Sequence, residues 1–159
     1  ALALAACSKK EDPMSSQPLN QPVTITIDLA SGSVTQAGRE WVDNAGIIRV
    51  QGRIIEGQAV SGDLVGKFKT TITNAERNPQ TGDSKETMIV ECSASWPAQN
   101  LQGLFFGEMT QEFKAGSRAP TSLKAQGKEG FASFELEVTL EQVAGSATLL
   151  VGKGRIVER

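Results

Sequence analysis

The sequence predicts an all-β fold, an antiparallel barrel of about eight strands, with a β-sandwich as the alternative. Apolar and polar residues alternate with a period of two along most of the chain, glycine-containing turns separate the alternating runs, and helical periodicity is weak. Glycines also recur inside the runs, where a small barrel needs bends in order to close, and this favours the barrel. These glycines are Gly52, Gly66, Gly107, Gly127, Gly152 and Gly154.

The first half of the chain carries the clearest strand signals. Residues Val23 to Leu29 place apolar side chains at odd positions, which is typical of a half-buried strand. The runs Ile48 to Ile54 and Leu64 to Ile72 flank a turn region, Gly57 to Gly62, and therefore predict a hairpin. Helix of a turn or two is expected only at Thr35 to Val42 and at Glu141 to Ala144.

The second half continues the same pattern. A turn cluster, Asn78 to Asp83, leads into a strand from Thr87 to Ser95, whose buried face includes Cys92. A loop is expected from Gly116 to Pro120. The remaining predicted strands are Leu104 to Lys114, Ser122 to Gln126, Phe131 to Glu141 and Ala147 to Val157.

The amino-terminal residues have the character of a targeting segment. Apolar residues 1–6 run into a cysteine, and Leu4-Ala5-Ala6-Cys7 resembles the lipobox of bacterial lipoproteins. The resemblance implies that residues 1–6 are the remnant of a signal peptide, that Cys7 is acylated, and that this lipid anchors the protein to a membrane of the cell envelope. Because Ser8 follows the cysteine, the family's sorting rule implies the outer membrane. Residues 7–22 are polar and contain three prolines, so they predict a flexible tether before one domain, 23–159.

The predicted domain resembles the barrel of the allene oxide cyclase and dirigent proteins. The segments that carry the resemblance are Val60 to Phe68, Gly103 to Glu108 and Val151 to Ile156. The resemblance implies a barrel over most of the domain. It also implies an alternative function, that of an isomerase or cyclase acting on a lipid-like substrate, for which Glu108 is the candidate carboxylate.

Composition excludes several kinds of chemistry. The chain has no histidine and no tyrosine, so Ser-His-Asp and Cys-His catalytic devices are excluded and histidine-based zinc sites are absent. No cofactor and no metal are expected. The formal charge is −2, and acidic and basic residues are interleaved, so nucleic acid is not an expected partner. Glu135, Glu137 and Glu141 alternate with apolar residues, which predicts a solvated outer face.

These observations predict a membrane-anchored, non-catalytic envelope protein. Its barrel is expected to bind either a small apolar ligand inside or an envelope protein partner outside. The residues expected to line a pocket are Phe68, Thr70, Cys92 and Glu108. A structural accessory subunit of an envelope complex, forming a homodimer, is a further alternative; an exposed apolar patch around Phe105 or Phe106 would be its sign.

Overall fold

Twelve antiparallel strands form one continuous sheet, seen in a computed structural model that describes residues 17–159. The predicted signal remnant, the lipobox with Cys7, and most of the predicted tether lie outside the described residues. Among the described residues, no helix is long and apolar enough to span a membrane. The strands are β1 (Asn20–Asp28), β2 (Ser33–Gln36), β3 (Arg39–Val42), β4 (Ile48–Gln51), β5 (Arg53–Gly62), β6 (Val65–Arg77), β7 (Ser84–Trp96), β8 (Leu101–Lys114), β9 (Ser117–Arg118), β10 (Thr121–Glu129), β11 (Phe134–Gln142) and β12 (Leu149–Glu158).

Eight of these strands close into a barrel, which confirms the predicted fold. Their order around the barrel is β5, β1, β12, β11, β10, β8, β7 and β6, and the pairing of β5 with β6 completes the circle. The other four strands lie outside the closed ring. Strand β2 pairs with β5, β4 pairs with β6 and carries β3, and β9 pairs with β8. The sheet therefore extends beyond the ring.

Several predicted boundaries differ from the structure. The first strand starts at Asn20, so the last three residues of the predicted tether belong to the barrel. Residues Gly57 to Gly62 are not a turn but the second half of β5, because Gly57, at φ 84°, forms a bulge that keeps the strand paired with β6. The predicted helix at Thr35 to Val42 is wrong, since β2 and β3 occupy it and meet at Gly38. The predicted loop from Gly116 to Pro120 contains β9.

One end of the barrel is closed by stacked aromatic side chains. The rings of Phe105 and Phe131 stack with centroids 4.5 Å apart, and Phe134 meets both Phe131 and Trp96 edge to face. Trp96, Phe105 and Phe131 are completely or almost completely buried. Aromatic side chains bury the most apolar area per residue, so this end of the interior is filled by packing.

Glycines inside the strands serve close approach between neighbouring backbones. A Cβ atom at Gly66 would overlap the carbonyl oxygen of Ser93, and one at Gly154 would overlap that of Glu137. Gly52 has a different role. At φ 73° it makes the bend that separates β4 from β5, so that β4 continues along β6 outside the closed ring.

Candidate ligand-binding site

A cavity of about 230 Å³ lies in the barrel at the end opposite the aromatic cluster. The cavity is lined by residues near the ends of β1, β8 and β11 and near the starts of β5, β7 and β12. Residues from the middle of β6 and from β9 complete the lining. Nine of the lining residues are apolar and four are polar. The four polar residues are Gln58, Thr70, Glu86 and Arg118. A mostly apolar cavity with a few convergent polar groups is the usual form of a small-molecule site.

The structure separates the four residues that the sequence predicted for a pocket. Phe68 and Thr70 line the cavity from β6. Cys92 is buried in the packed core and is not part of the cavity lining. Glu108 is exposed on the outer face of β8, opposite Lys124 of β10, so it does not line the cavity and cannot supply the inner carboxylate of a cyclase. Residues 105 and 106 alternate across the strand, and Phe105 takes the inner side.

The bulge at Gly57 brings two further side chains into the cavity. Ile55 and Gln58 both line it, although they are three residues apart and would point to opposite faces of a regular strand. The pairing register between β5 and β6 shifts between Glu56 and Gln58. The extra residue at the bulge brings Gln58 to the inner face of the barrel instead of the outer one. Gln58 is buried, and its Nε2 donates a long hydrogen bond of 3.5 Å to the carbonyl oxygen of Leu29.

Glu86 is the carboxylate that the structure places in the cavity. It lies two residues before Met88 on β7, so the inward alternation of that strand carries it to the inner face. The predicted strand began at Thr87, and for that reason Glu86 was missed. Extending the alternation by one step would have found it. Across the ladder Glu86 faces Gln111 of β8 and Ala75 of β6.

A hydrogen-bonded glutamine holds Arg118 at the cavity. Gln111 is only 1% exposed, and its Nε2 donates to the carbonyl oxygens of Glu112 and Ala119. Its Oε1 accepts from Arg118 Nη1 at 3.0 Å and from Thr121 Oγ1 at 2.9 Å. All the hydrogen-bonding groups of this buried amide are therefore used, and they fasten β9 to the barrel. The sequence did not predict this, because β9 is a two-residue strand within an expected loop.

Burial changes the protonation properties of three groups in the interior. Burial raises the pKa of Glu86, and the nearby charges of Arg118 and Arg53 offset this only in part. Burial lowers the pKa of Arg118, against the opposing effect of Glu86. Burial raises the pKa of the Cys92 thiol to about 12, so this cysteine stays protonated near neutral pH and is not a reactive thiolate.

The outer face differs from the sequence prediction at Glu135. Glu135 is only 4% exposed, because three side chains cover its carboxylate. Arg159 Nη2 lies 2.9 Å and Lys124 Nζ 3.3 Å from its Oε1, and Gln126 donates a hydrogen bond to it. Its burial acts to raise the pKa, but the hydrogen bonds, led by those from Arg159 and Gln126, outweigh it and lower the pKa to about 2. The carboxylate is therefore a buried anchor of an ion-pair cluster, and the prediction that it is solvated is wrong.

Phe106 lies on the outer face of β8, with 37% of its surface exposed. The ammonium group of Lys128 lies 4.7 Å above the centre of its ring, so a neighbouring cation covers part of the aromatic surface. Phe105, its neighbour, is fully buried. The apolar surface at this pair is therefore a single partly covered ring.

Comparison of the chain with protein-family models, with curated proteins and with solved structures gave no match. Within residues 17–159, no group of three or more acidic, cysteine or histidine side chains is placed to hold a metal ion. The cavity with Glu86 and Arg118 is the feature of the described barrel that best fits a binding site.

The replacement Glu86→Gln should make barrel stability less dependent on pH. The folded-state pKa of Glu86 lies above the usual value of about 4.3, so the folded barrel holds this proton more tightly than the unfolded chain does. The stabilisation from this tighter proton binding is fully present when the pH lies below the pKa of Glu86 in the unfolded chain. It is lost as the pH rises through the pKa of Glu86 in the folded barrel. We therefore expect Glu86→Gln to melt about 1–3 °C higher than the wild type at pH 7 and at the same temperature at pH 3.5.

Thermal unfolding followed by circular dichroism at the two pH values measures this difference. Glu141→Gln is the matched control, because Glu141 is exposed at the outer end of β11. A lower melting temperature for Glu86→Gln at pH 7 would show that the carboxylate stabilises the barrel and would contradict the expectation.

Proposed function

We propose that this chain is a lipid-anchored envelope protein whose barrel binds a small, mostly apolar molecule in the cavity beside Glu86 and Arg118. The observation that carries the proposal is the cavity itself, about 230 Å³ in a barrel that is otherwise packed. An eight-stranded barrel is just wide enough for side chains to fill it or for one small ligand to be held. In this barrel, aromatic side chains pack one end of the interior, and the other end holds the cavity.

The volume limits the size of the ligand. An apolar protein cavity of about 150 Å³ accommodates benzene, so one of about 230 Å³ accommodates roughly nine non-hydrogen atoms. A long-chain lipid is much larger than this, and most of it would remain outside the barrel. The proposal is therefore for a compact ligand such as a substituted aromatic ring or a short branched chain.

The lipid anchor rests on the sequence alone. Leu4-Ala5-Ala6-Cys7 resembles a lipobox, and acyl chains on one residue contribute about 0.8 kcal/mol for each methylene buried in a bilayer. Such an anchor would hold the barrel at a membrane surface of the envelope, with the polar segment after Cys7 as the connection.

The anchor predicts a specific effect of Cys7→Ser. Cells grown with an isotopically labelled fatty acid should incorporate the label into the wild type and into Cys92→Ala, and the label should be absent from Cys7→Ser. Cys92→Ala is the matched control because Cys92 is the other cysteine of the chain and lies buried in the core. Equal labelling of Cys7→Ser, or none in the wild type, would exclude the anchor.

The ligand-binding proposal predicts that Thr70→Met empties the site. Thr70 is buried and lines the cavity, so a longer side chain there would occupy the space. Native mass spectrometry of protein purified from its host should find a stoichiometric small-molecule adduct on the wild type, lost on denaturation, and the adduct should be absent from Thr70→Met. The same replacement on the outer face, Thr139→Met, should retain it. A wild type without any adduct, and without affinity for added apolar molecules, would contradict the proposal.

An isomerase or cyclase is the second candidate, because Glu86 supplies a carboxylate inside the cavity, with a pKa raised by burial, where general acid–base chemistry would need one. The molecule recovered from the protein distinguishes the two candidates. The compound recovered from Glu86→Gln should stay unchanged when it is incubated with the wild type if the protein only binds it, and should be converted into an isomer of the same mass if the protein is an isomerase.

A further inference from the structure

Two opposite charges face the cavity without pairing with each other. Glu86 and Arg118 both line it, and neither a hydrogen bond nor a salt bridge joins them. Among the described residues no side chain donates a hydrogen bond to the Glu86 carboxylate. Arg118 uses one terminal nitrogen, Nη1, for Gln111, and its guanidinium lies 4.6 Å above the ring of Phe113. A guanidinium has five N–H donors, so Arg118 keeps donors for another group.

Two neighbouring arginines, Arg53 and Arg49, are already paired with carboxylates. Arg53, whose charge also acts on Glu86, pairs with Glu40 at 2.9 Å and donates to the carbonyl oxygen of Ala37. Beyond it, Arg49 pairs with Glu76 at 2.9 Å and with Asp43 at 2.8 Å. Arg77 lines a neighbouring pocket together with Glu86 but does not line this cavity. Within the cavity lining itself the balance is one carboxylate against one guanidinium.

This balance disfavours a charged ligand. A ligand carboxylate would place two negative charges beside one guanidinium in a half-buried site, and an ammonium group would place two positive charges beside one carboxylate. In either case one charge would be left unmatched where water is partly excluded, which is costly. A neutral group that both donates and accepts can satisfy Glu86 and Arg118 together, and it leaves the balance unchanged.

We infer that the cavity selects a compact neutral amphiphile, in which a hydroxyl group donates to the Glu86 carboxylate and accepts from the Arg118 guanidinium while the apolar body fills the space among Phe68, Met88 and Leu150. This inference rests on the proposed ligand-binding function, because it names the class of ligand for the same cavity. The proposed function limits the size of the ligand, and this inference adds the chemistry of its head group.

Four probes with a similar body and different head groups test the inference. They are 2-phenylethanol, phenylacetate, 2-phenylethylamine and propylbenzene, each of about the size that the cavity accommodates. Their dissociation constants for the full chain are measured at pH 7 by calorimetry or by ligand-observed NMR. We expect the alcohol to bind at least tenfold more tightly than each of the other three. Binding of the acid, the amine or the hydrocarbon as tight as that of the alcohol would overturn the inference.

Two charge-removing variants give a readout that a purely structural role would not produce. Glu86→Gln leaves the guanidinium unmatched, so phenylacetate should gain at least fivefold in affinity. Arg118→Gln leaves the carboxylate unmatched, so 2-phenylethylamine should gain instead. Glu141→Gln, on the outer face, should leave all four affinities unchanged. Gains of the same size for both charged probes in both variants would show that the change in affinity does not depend on which charge is removed, and would overturn the inference.

The outcomes separate the inference from the proposed function. If all four probes bind with equal affinity and Thr70→Met abolishes their binding, the cavity binds ligands but does not select the head group. If none of the four binds, the proposed function fails and the inference fails with it.

Discussion

The closure of eight strands into a ring is the constraint on which the rest of this structure depends. Closure fixes the width of the interior at about the size that two layers of facing side chains can fill. The choice of inward residue at each level then decides whether that level is packed or open. At one end Trp96, Phe105 and Phe131 are buried and belong to one cluster of aromatic rings in contact with each other through Phe134 and by stacking. At the other end Thr70, Gln58 and two methionines take the same positions and leave a cavity.

The open end is also the place where strands leave the ring. Strands β6, β7 and β8 continue past the end of the barrel, β4 pairs with β6 there, and β9 pairs with β8. This extension carries Arg118 to the cavity and places Arg53 near Glu86. Glu86 and Arg118 can therefore line an apolar cavity although they belong to the part of the sheet that extends past the ring.

The fold could be predicted from the sequence because its main signal is local. The alternation in Val23 to Leu29 and around Cys92 reports which side chains face inward, and closure follows from many short strands with glycines at close approaches. The site could not be predicted in the same way. The glycines at the two ends of Gly57 to Gly62 predicted a turn, whereas in the structure Gly57 forms a bulge within β5 that brings Gln58 to the inner face. Glu86 lies one step beyond the predicted strand, and Arg118 reaches the cavity from β9, a two-residue strand that pairs with the end of β8 inside an expected loop. Glu108 lies on the outer face because Phe105, rather than its neighbour Phe106, faces inward, and two adjacent phenylalanines do not show in the sequence which of them is the inner one.

If the cavity is a binding site, the end of the barrel lined by Met88 and Met109 is open to small apolar molecules. The most direct test is the NMR spectrum of the full chain with ¹³C-labelled methionine methyl groups, titrated with benzene. Met88 and Met109 line the cavity, and Met14, the third methionine, lies outside the described residues. We expect the Met88 and Met109 methyl signals to shift together and to saturate, and we expect Thr70→Met to suppress the change. Methyl signals of Met88 and Met109 that stay unchanged in benzene-saturated buffer would show that this end is packed and would contradict the account.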